Sequence, residues 1–358
     1  MTTRMMRFVL TRVMLVPLIV GPLMLVSLMA SSAVAASWQA QLANDLEAAD
    51  RDFSGDLSVY VKDIGSGEEV TLRADAHWYL ASTIKVPVAV ALYSRIEDGT
   101  LTLNDEVTLE YSDYVDGAGN TNWSEAGTAF TLHELYRKML IESDNTATDM
   151  VIRTLGLNAI NESVAALELE YLGPITTLAD VRRLAYSEFH YGAHEFASPE
   201  FFRIREASDP EGRANILAEL FGITREELGK PDLDSAFDAY YATEYNSGTM
   251  RGMGQFLEKL ATGELLSEGY TAKLLDTMES ITTGGNRLQA TLPAGVRFAH
   301  KTGTQHRRAC DVGIAWAEPN RERPVVVATC ARGPLSTAES EAAIRAVGAA
   351  VTRSGVLD

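Results

Sequence analysis

The chain has 358 residues, 31 basic and 49 acidic side chains, a formal net charge of −18 and only two cysteines. Such a negative balance disfavours nucleic acid and anionic membrane surfaces as partners. The length is ample for a large buried core in one big domain or two interleaved ones.

The N-terminus reads as an address rather than as fold. Arg4, Arg7 and Arg12 precede an uncharged apolar stretch from Val13 to Ala30, and Ala33-Val34-Ala35 supplies small residues before a polar start at Ser37. That is the anatomy of a cleaved export signal over residues 1–36. The apolar stretch could also remain as a membrane anchor, although Pro17, Gly21 and Pro22 interrupt it. Either way residues 37–358 are expected to be periplasmic or secreted, and without the first 36 residues the net charge is −21.

From Trp38 to Arg51 the pattern is an amphipathic helix. Leu57–Val61 and Val70–Leu72 alternate as strands around Gly65-Ser66-Gly67, a hairpin signal. Residues 82–275 are mostly helical in pattern. Strand character returns at Val296–Lys301, Ala309–Ala317 and Pro324–Ala331, and a last helix is expected from Thr337 to Arg353. Strands at both ends of a helical middle predict an α+β fold. An antiparallel sheet built from residues 37–80 and 276–358 would be flanked by helices, with an inserted all-helical domain over 81–275. The cleft where the two parts join is the expected place for a small-ligand site. Cys310 and Cys330 lie in consecutive strands. In one register they face each other and could form a disulfide; shifted by one residue they lie on opposite faces as thiols.

Three short strings carry chemistry. In Ser82-Thr83-Ile84-Lys85 the serine opens a very apolar helix, and Pro87, tolerable only in the first turn, fixes the start near Ser82. A serine needs a neighbouring base to become a nucleophile. A lysine held in an apolar cleft can have its pKa lowered enough to serve. Ser143-Asp144-Asn145 joins two helices, the first of which begins with a Thr131/Glu134 capping box. Lys301-Thr302-Gly303-Thr304 closes the strand that starts near Val296, and the small Gly303 lets a backbone approach closely. Each string alone has an ordinary reading as a cap or a turn.

Together, in this order and with 61 residues between Ser82 and Ser143, they resemble the signature set of the class A-type β-lactamases and penicillin-binding serine hydrolases. The resemblance covers about residues 40–160 and 245–355 and implies roles. Ser82 would be the nucleophile, with Lys85 and Ser143 moving protons. Asn145 would bind the substrate's side-chain amide, and Lys301 and Thr302 its carboxylate. Beside Gly303, the N–H groups of Thr304 and Ser82 would form an oxyanion hole. Asp144 would be structural.

The pattern fails at one point. Class A enzymes carry a water-activating glutamate in a Glu-x-x-x-Asn string between the second and third elements, and none stands at that distance here. Ser143 and Lys301 are 158 residues apart, about fifty more than the family needs, so an insertion occupies roughly 185–240. Its aromatics could pack against the cleft or form a lid. Glu188, with polar neighbours Tyr186 and His190, is the first choice for the missing carboxylate, ahead of Asp180 and Asp234. Arg307 or Arg308 could help hold a carboxylate. His190 and His194 have no further ligands nearby, so no metal or cofactor is expected. The resemblance implies first a β-lactamase. The alternatives are a DD-peptidase-like or other amide or ester hydrolase that turns β-lactams over slowly, or a non-catalytic β-lactam-binding sensor. The implied substrate is a small β-lactam or a peptidoglycan-like peptide, and the protein is expected to act as a monomer.

Overall fold

The structure is a computed structural model that describes residues 37–317 and 321–358. The export segment read over residues 1–36 lies outside the described residues. Among the described residues no helix is long and apolar enough to cross a membrane.

Helix α1 (Trp38–Asp52) starts at Ser37, whose Oγ accepts the Ala40 N–H at 3.3 Å, and buries Leu42 and Leu46. The hairpin β1 (Asp56–Asp63) and β2 (Glu69–Leu72) follows. Then β3 (Trp78–Tyr79) leads through a 3₁₀ turn, Ala81–Ile84, into α2 (Lys85–Glu97). A short ladder of β4 (Glu106–Thr108) and β5 (Ala129–Thr131) runs into α3 (Leu132–Arg137). The expected Thr131/Glu134 capping box starts α3. A π-helical turn, Lys138–Glu142, carries the chain on to Ser143.

Six helices follow: α4 (Asn145–Leu155), α5 (Leu157–Ala165), α6 (Leu178–Ser187), α7 (Ser198–Glu206), α8 (Pro210–Phe221) and α9 (Leu233–Tyr241). Next come β6 (Ser247–Gly248), paired with β3, and helices α10 (Met250–Ala261) and α11 (Glu268–Glu279). The chain then completes its main sheet with β7 (Val296–Gln305), β8 (Arg308–Ala317) and β9 (Val325–Arg332), and ends in α12 (Thr337–Ser354).

The main sheet has the order β2-β1-β9-β8-β7, with every neighbouring pair antiparallel. Both faces are covered, and the period of two sorts the side chains. Val325, Val327 and Ala331 of β9 join α1 and α12 in one core, whereas Val326, Ala328 and Cys330 face the helical lobe. The sequence boundary at 275/276 cuts through α11; the lobe in fact runs to the loop before β7. The register pairs Cys310 with Cys330 directly, and the two form a disulfide on the lobe side of the sheet. Helices α7 to α9 fall within or at the end of residues 185–240, where the sequence reading expects an insertion.

Candidate active site

Ser82 is set by strained backbone. Ala81, just before it, has φ 50°, a left-handed conformation costing roughly 1–2 kcal/mol for a residue with a β-carbon. The strain is held from both sides. Leu80 N–H donates to Asn246 O at 2.8 Å, and Leu80 O accepts from Thr83 N at 3.2 Å and Thr83 Oγ1 at 2.8 Å. Asn246 in turn fixes the loop before α6, accepting the Thr176 N–H at 2.9 Å and donating to Thr176 Oγ1 at 2.7 Å. Ser82 is partly exposed while Ala81, Thr83, Ile84 and Lys85 are buried, and it lines the cleft together with Ala81.

Lys85 opens α2 and is wholly buried. Its Nζ donates to Ser143 O at 2.6 Å and Asn145 Oδ1 at 2.9 Å, and lies 3.3 Å from Ser143 Oγ. Burial lowers its pKa to about 7, because a low-polarity surround penalises the charged form. The carboxylates of Asp144 and Asp149 oppose that fall, and Arg182 adds to it. Lys301, equally buried, donates to Ser143 Oγ at 3.0 Å and to Thr302 O at 3.1 Å. Burial, then Lys85 and Arg287, push its pKa well below the usual lysine range.

The turn that carries Ser143 is itself held open. Ser143 has φ 60°, and Asp144 caps α4 by accepting the Ala147 N–H at 2.8 Å. The other oxygen of Asp144 accepts the N–H groups of Asn120 and Thr121, both at 2.8 Å. Asn145 Nδ2 donates to Asp116 O at 2.9 Å, so its amide is aimed by two fixed partners.

On the opposite side, β7 is an edge strand of the sheet. A β-carbon on Gly303 would fall 2.6 Å from Leu80 O and 3.3 Å from Ser82 N, so only glycine lets the strand lie against the Ser82 turn. Thr302 Oγ1 shares a 2.6 Å hydrogen bond with Thr283. Thr304 Oγ1 accepts from Arg287 Nη2 at 2.6 Å, and the same buried arginine donates to Gly303 O and Cys310 O. A cleft of about 390 Å³ is lined by Ser82, Asn145 and Thr304, together with Leu178, Val181, Arg182 and Arg205.

The structure therefore brings Ser82, Lys85, Ser143, Asn145, Lys301, Thr302, Gly303 and Thr304 together. It does not bring Glu188. That residue ends α6, about 10 Å along the helix from the cleft-lining Val181, and pairs with Lys230 at 3.7 Å. Asp180, in the first turn of α6, is not among the cleft-lining residues and pairs with Arg183 at 2.7 Å. Asp234, on α9, lies 3.5 Å from His306 Nδ1 and 3.7 Å from Arg307 Nε. Arg307 and Arg308 are likewise drawn to α9: both meet Asp238, and Arg308 sits 4.0 Å over the Tyr241 ring. The insertion thus clasps the β7–β8 turn.

Sequence reading missed several residues. Arg182, bonded through Nε to Asp116 Oδ1 at 2.5 Å, occupies the cleft wall. Asp149 accepts the Leu178 and Ala179 N–H groups and so docks α6 onto α4. Burial raises the Asp149 pKa to about 7, against the two N–H bonds that lower it. A charge embedded beside Met150-Val151-Ile152 was the available signal for Asp149; nothing in the spacing marked Arg182.

An antiparallel sheet backed by helices, with a serine and two lysines converging at the junction with a helical lobe, defines the fold class of the β-lactamases and penicillin-binding serine enzymes. A model of the β-lactamase enzyme family matches residues 41–354, and the chain belongs to that family. It is 26% identical over 326 residues to β-lactamase CTX-M-97 of Escherichia coli, covering 91% of this chain and 92% of that one. To the carbapenem-hydrolyzing β-lactamase KPC of Klebsiella oxytoca it is 24% identical, with 86% of each covered. Among solved structures, the TLA-1 extended-spectrum β-lactamase superposes with a TM-score of 0.68 at 17% identity, over 89% of this chain and all of that one. A point mutant of PBP-A, solved as an acyl-enzyme complex with penicillin G, gives 0.63 at 22% identity, over 88% and 95%.

Proposed function

We propose that this protein is an exported active-site serine hydrolase that β-lactams acylate at Ser82 and leave slowly. The observation that carries the reading is Lys85, buried with its pKa lowered to about 7 and bonded to Ser143 beside the nucleophile's turn. A neutral Lys85 takes the Ser82 proton as Oγ bonds to the amide carbonyl carbon. The resulting oxyanion is received by the N–H groups of Ser82 and Thr304. The C–N bond then breaks, and the nitrogen takes the proton back from Lys85 through Ser143. Water later cleaves the ester and restores Ser82.

That last step is the weak one. Leu178, Val181 and Arg182 form the α6 wall of the cleft, and no carboxylate is among its lining residues. The arrangement favours the penicillin-binding, peptidase-like side of the family, with an acyl-enzyme that lasts. Rapid β-lactam hydrolysis is the second reading, favoured by similarity to relatives that are β-lactamases. Export is supported by the Cys310–Cys330 disulfide, a bond that persists in oxidising compartments.

The test is to mix the purified protein with a chromogenic cephalosporin and follow both colour and protein mass. A stoichiometric burst with a lasting adduct on Ser82 supports the first reading, and sustained turnover supports the second. Neither turnover nor an adduct, or either one surviving Ser82→Ala, removes both.

A further inference from the structure

The cleft has a cationic wall that the acylation chemistry above does not use. Arg182 reaches it from α6 and Arg205 from α7 of the insertion. One carboxylate faces both: Asp116 Oδ1 accepts from Arg182 Nε at 2.5 Å, while Asp116 Oδ2 lies 3.5 Å from Arg205 Nη1. Two guanidinium groups against one carboxylate leave a positive charge over. The two arginines are not equivalent. Arg182 is 10% exposed and committed to Asp116, whereas Arg205 is 50% exposed and more loosely held.

Their place in the cleft says which part of a substrate they meet. A β-carbon on Gly117 would fall 2.6 Å from Asn145 Nδ2 and 3.4 Å from Arg182 Nη2, so the amide and the guanidinium lie side by side. Asn145 is the residue assigned to the acyl side of the substrate. Lys301 and Thr302, assigned to the substrate's carboxylate, belong to the β7 wall opposite. A chain with net charge −18 repels anions at long range, so a local excess of positive charge is what would admit one.

We infer that the substrate carries a second anionic group, on the acyl side of the scissile amide, and that Arg205 receives it. This rests on the reading that Ser82 is acylated by a lactam or peptide-like amide. It gives the insertion a direct part in selectivity, because α7 supplies the residue. A purely structural Arg205, fastening α7 to the Asp116 loop, would affect all substrates alike.

The experiment compares second-order acylation rates for two penicillins that differ only by a carboxylate on the acyl side chain. At low ionic strength the carboxylated compound should react about fivefold faster, the size expected of a half-exposed charge pair. The preference should shrink in high salt. Arg205→Ala should bring the ratio of the two rates near one, and Arg205→Lys should keep part of it. Because the readout is a ratio within one protein, a general loss of folded material cancels. Equal rates in the unaltered protein, or a preference that Arg205→Ala leaves intact, overturn the inference while acylation stands. If neither penicillin labels Ser82, the reaction itself is misread and the inference falls with it.

Discussion

Lys301 Nζ donates to Ser143 Oγ at 3.0 Å, and Lys85 Nζ lies 3.3 Å from the same oxygen. Two lysines 216 positions apart thus meet on one hydroxyl in a buried site. Burial makes both harder to charge, and the Lys85 ammonium adds to the effect on Lys301.

Acylation should therefore depend on pH through Lys85. Its pKa is lowered to about 7, so the rate of adduct formation should rise with pH through that value, because the protonated lysine cannot accept the Ser82 proton. An ordinary lysine would delay the rise to about pH 10. Lys85→Ala should slow acylation by about 10²–10⁴-fold. A flat profile between pH 5 and pH 9, read by mass spectrometry of the adduct, would exclude Lys85 as the base.

Glu188→Gln should leave the lifetime of the Ser82 adduct unchanged. The residue is tied to Lys230 at the far end of α6 and does not line the cleft. A mutant adduct that persists several-fold longer would return Glu188 to the deacylation step.

Asp144 accepts three backbone N–H groups, from Asn120, Thr121 and Ala147. Asp144→Ala strands three donors, two of them on the buried residues Thr121 and Ala147, and each buried one is worth about 1–3 kcal/mol. The variant should lose both thermal stability and acylation, while Asp144→Asn, which keeps one acceptor, should lose less of each. Equal melting temperatures for all three proteins would contradict this account of the turn.

The disulfide closes a loop of 20 residues' separation between β8 and β9. Closing a loop of that length restricts the unfolded chain by about 3 kcal/mol. Urea unfolding of the Cys310→Ala/Cys330→Ala protein should show a lower midpoint, and added reductant should move the midpoint of the unaltered protein in the same direction. An unmoved midpoint would mean that the bond contributes nothing to stability.

Phe237 on α9 packs its ring 4.0 Å from that of His306, tilted by 36°, in a β7–β8 turn where His306 and Arg307 have φ of 27° and 49°. Phe237→Ala should cost about 3–5 kcal/mol of stability, since the ring is 2% exposed. It should also slow acylation, because the loosened turn begins two residues after Thr304. Phe237→Leu should recover most of both. Full acylation in a destabilised Phe237→Ala protein would show that the turn keeps its shape without α9.

Much of this architecture was legible in the chain. Alternating apolar residues at 57–61, the apolar run at 325–331, Pro87 behind Ser82, and the Thr131/Glu134 box are local signals, and local backbone preferences act on them directly. The three strings marked Ser82, Lys85, Ser143, Asn145 and Lys301–Thr304 because those residue types are required together by one chemistry. The Cys310–Cys330 pairing was left open, since a strand pattern does not fix its register.

The sequence by itself determined the fold class and the family, and it marked the residues of the proposed acylating set. Tertiary structure decided what stands beside them. It set Glu188 at the far end of α6, put Arg182 and Arg205 in the cleft wall, and turned Arg307 and Arg308 toward α9. Those outcomes depend on how α6 docks on Asp149 and how the insertion meets the β7–β8 turn. Both are contacts between segments many residues apart, and no local preference encodes them.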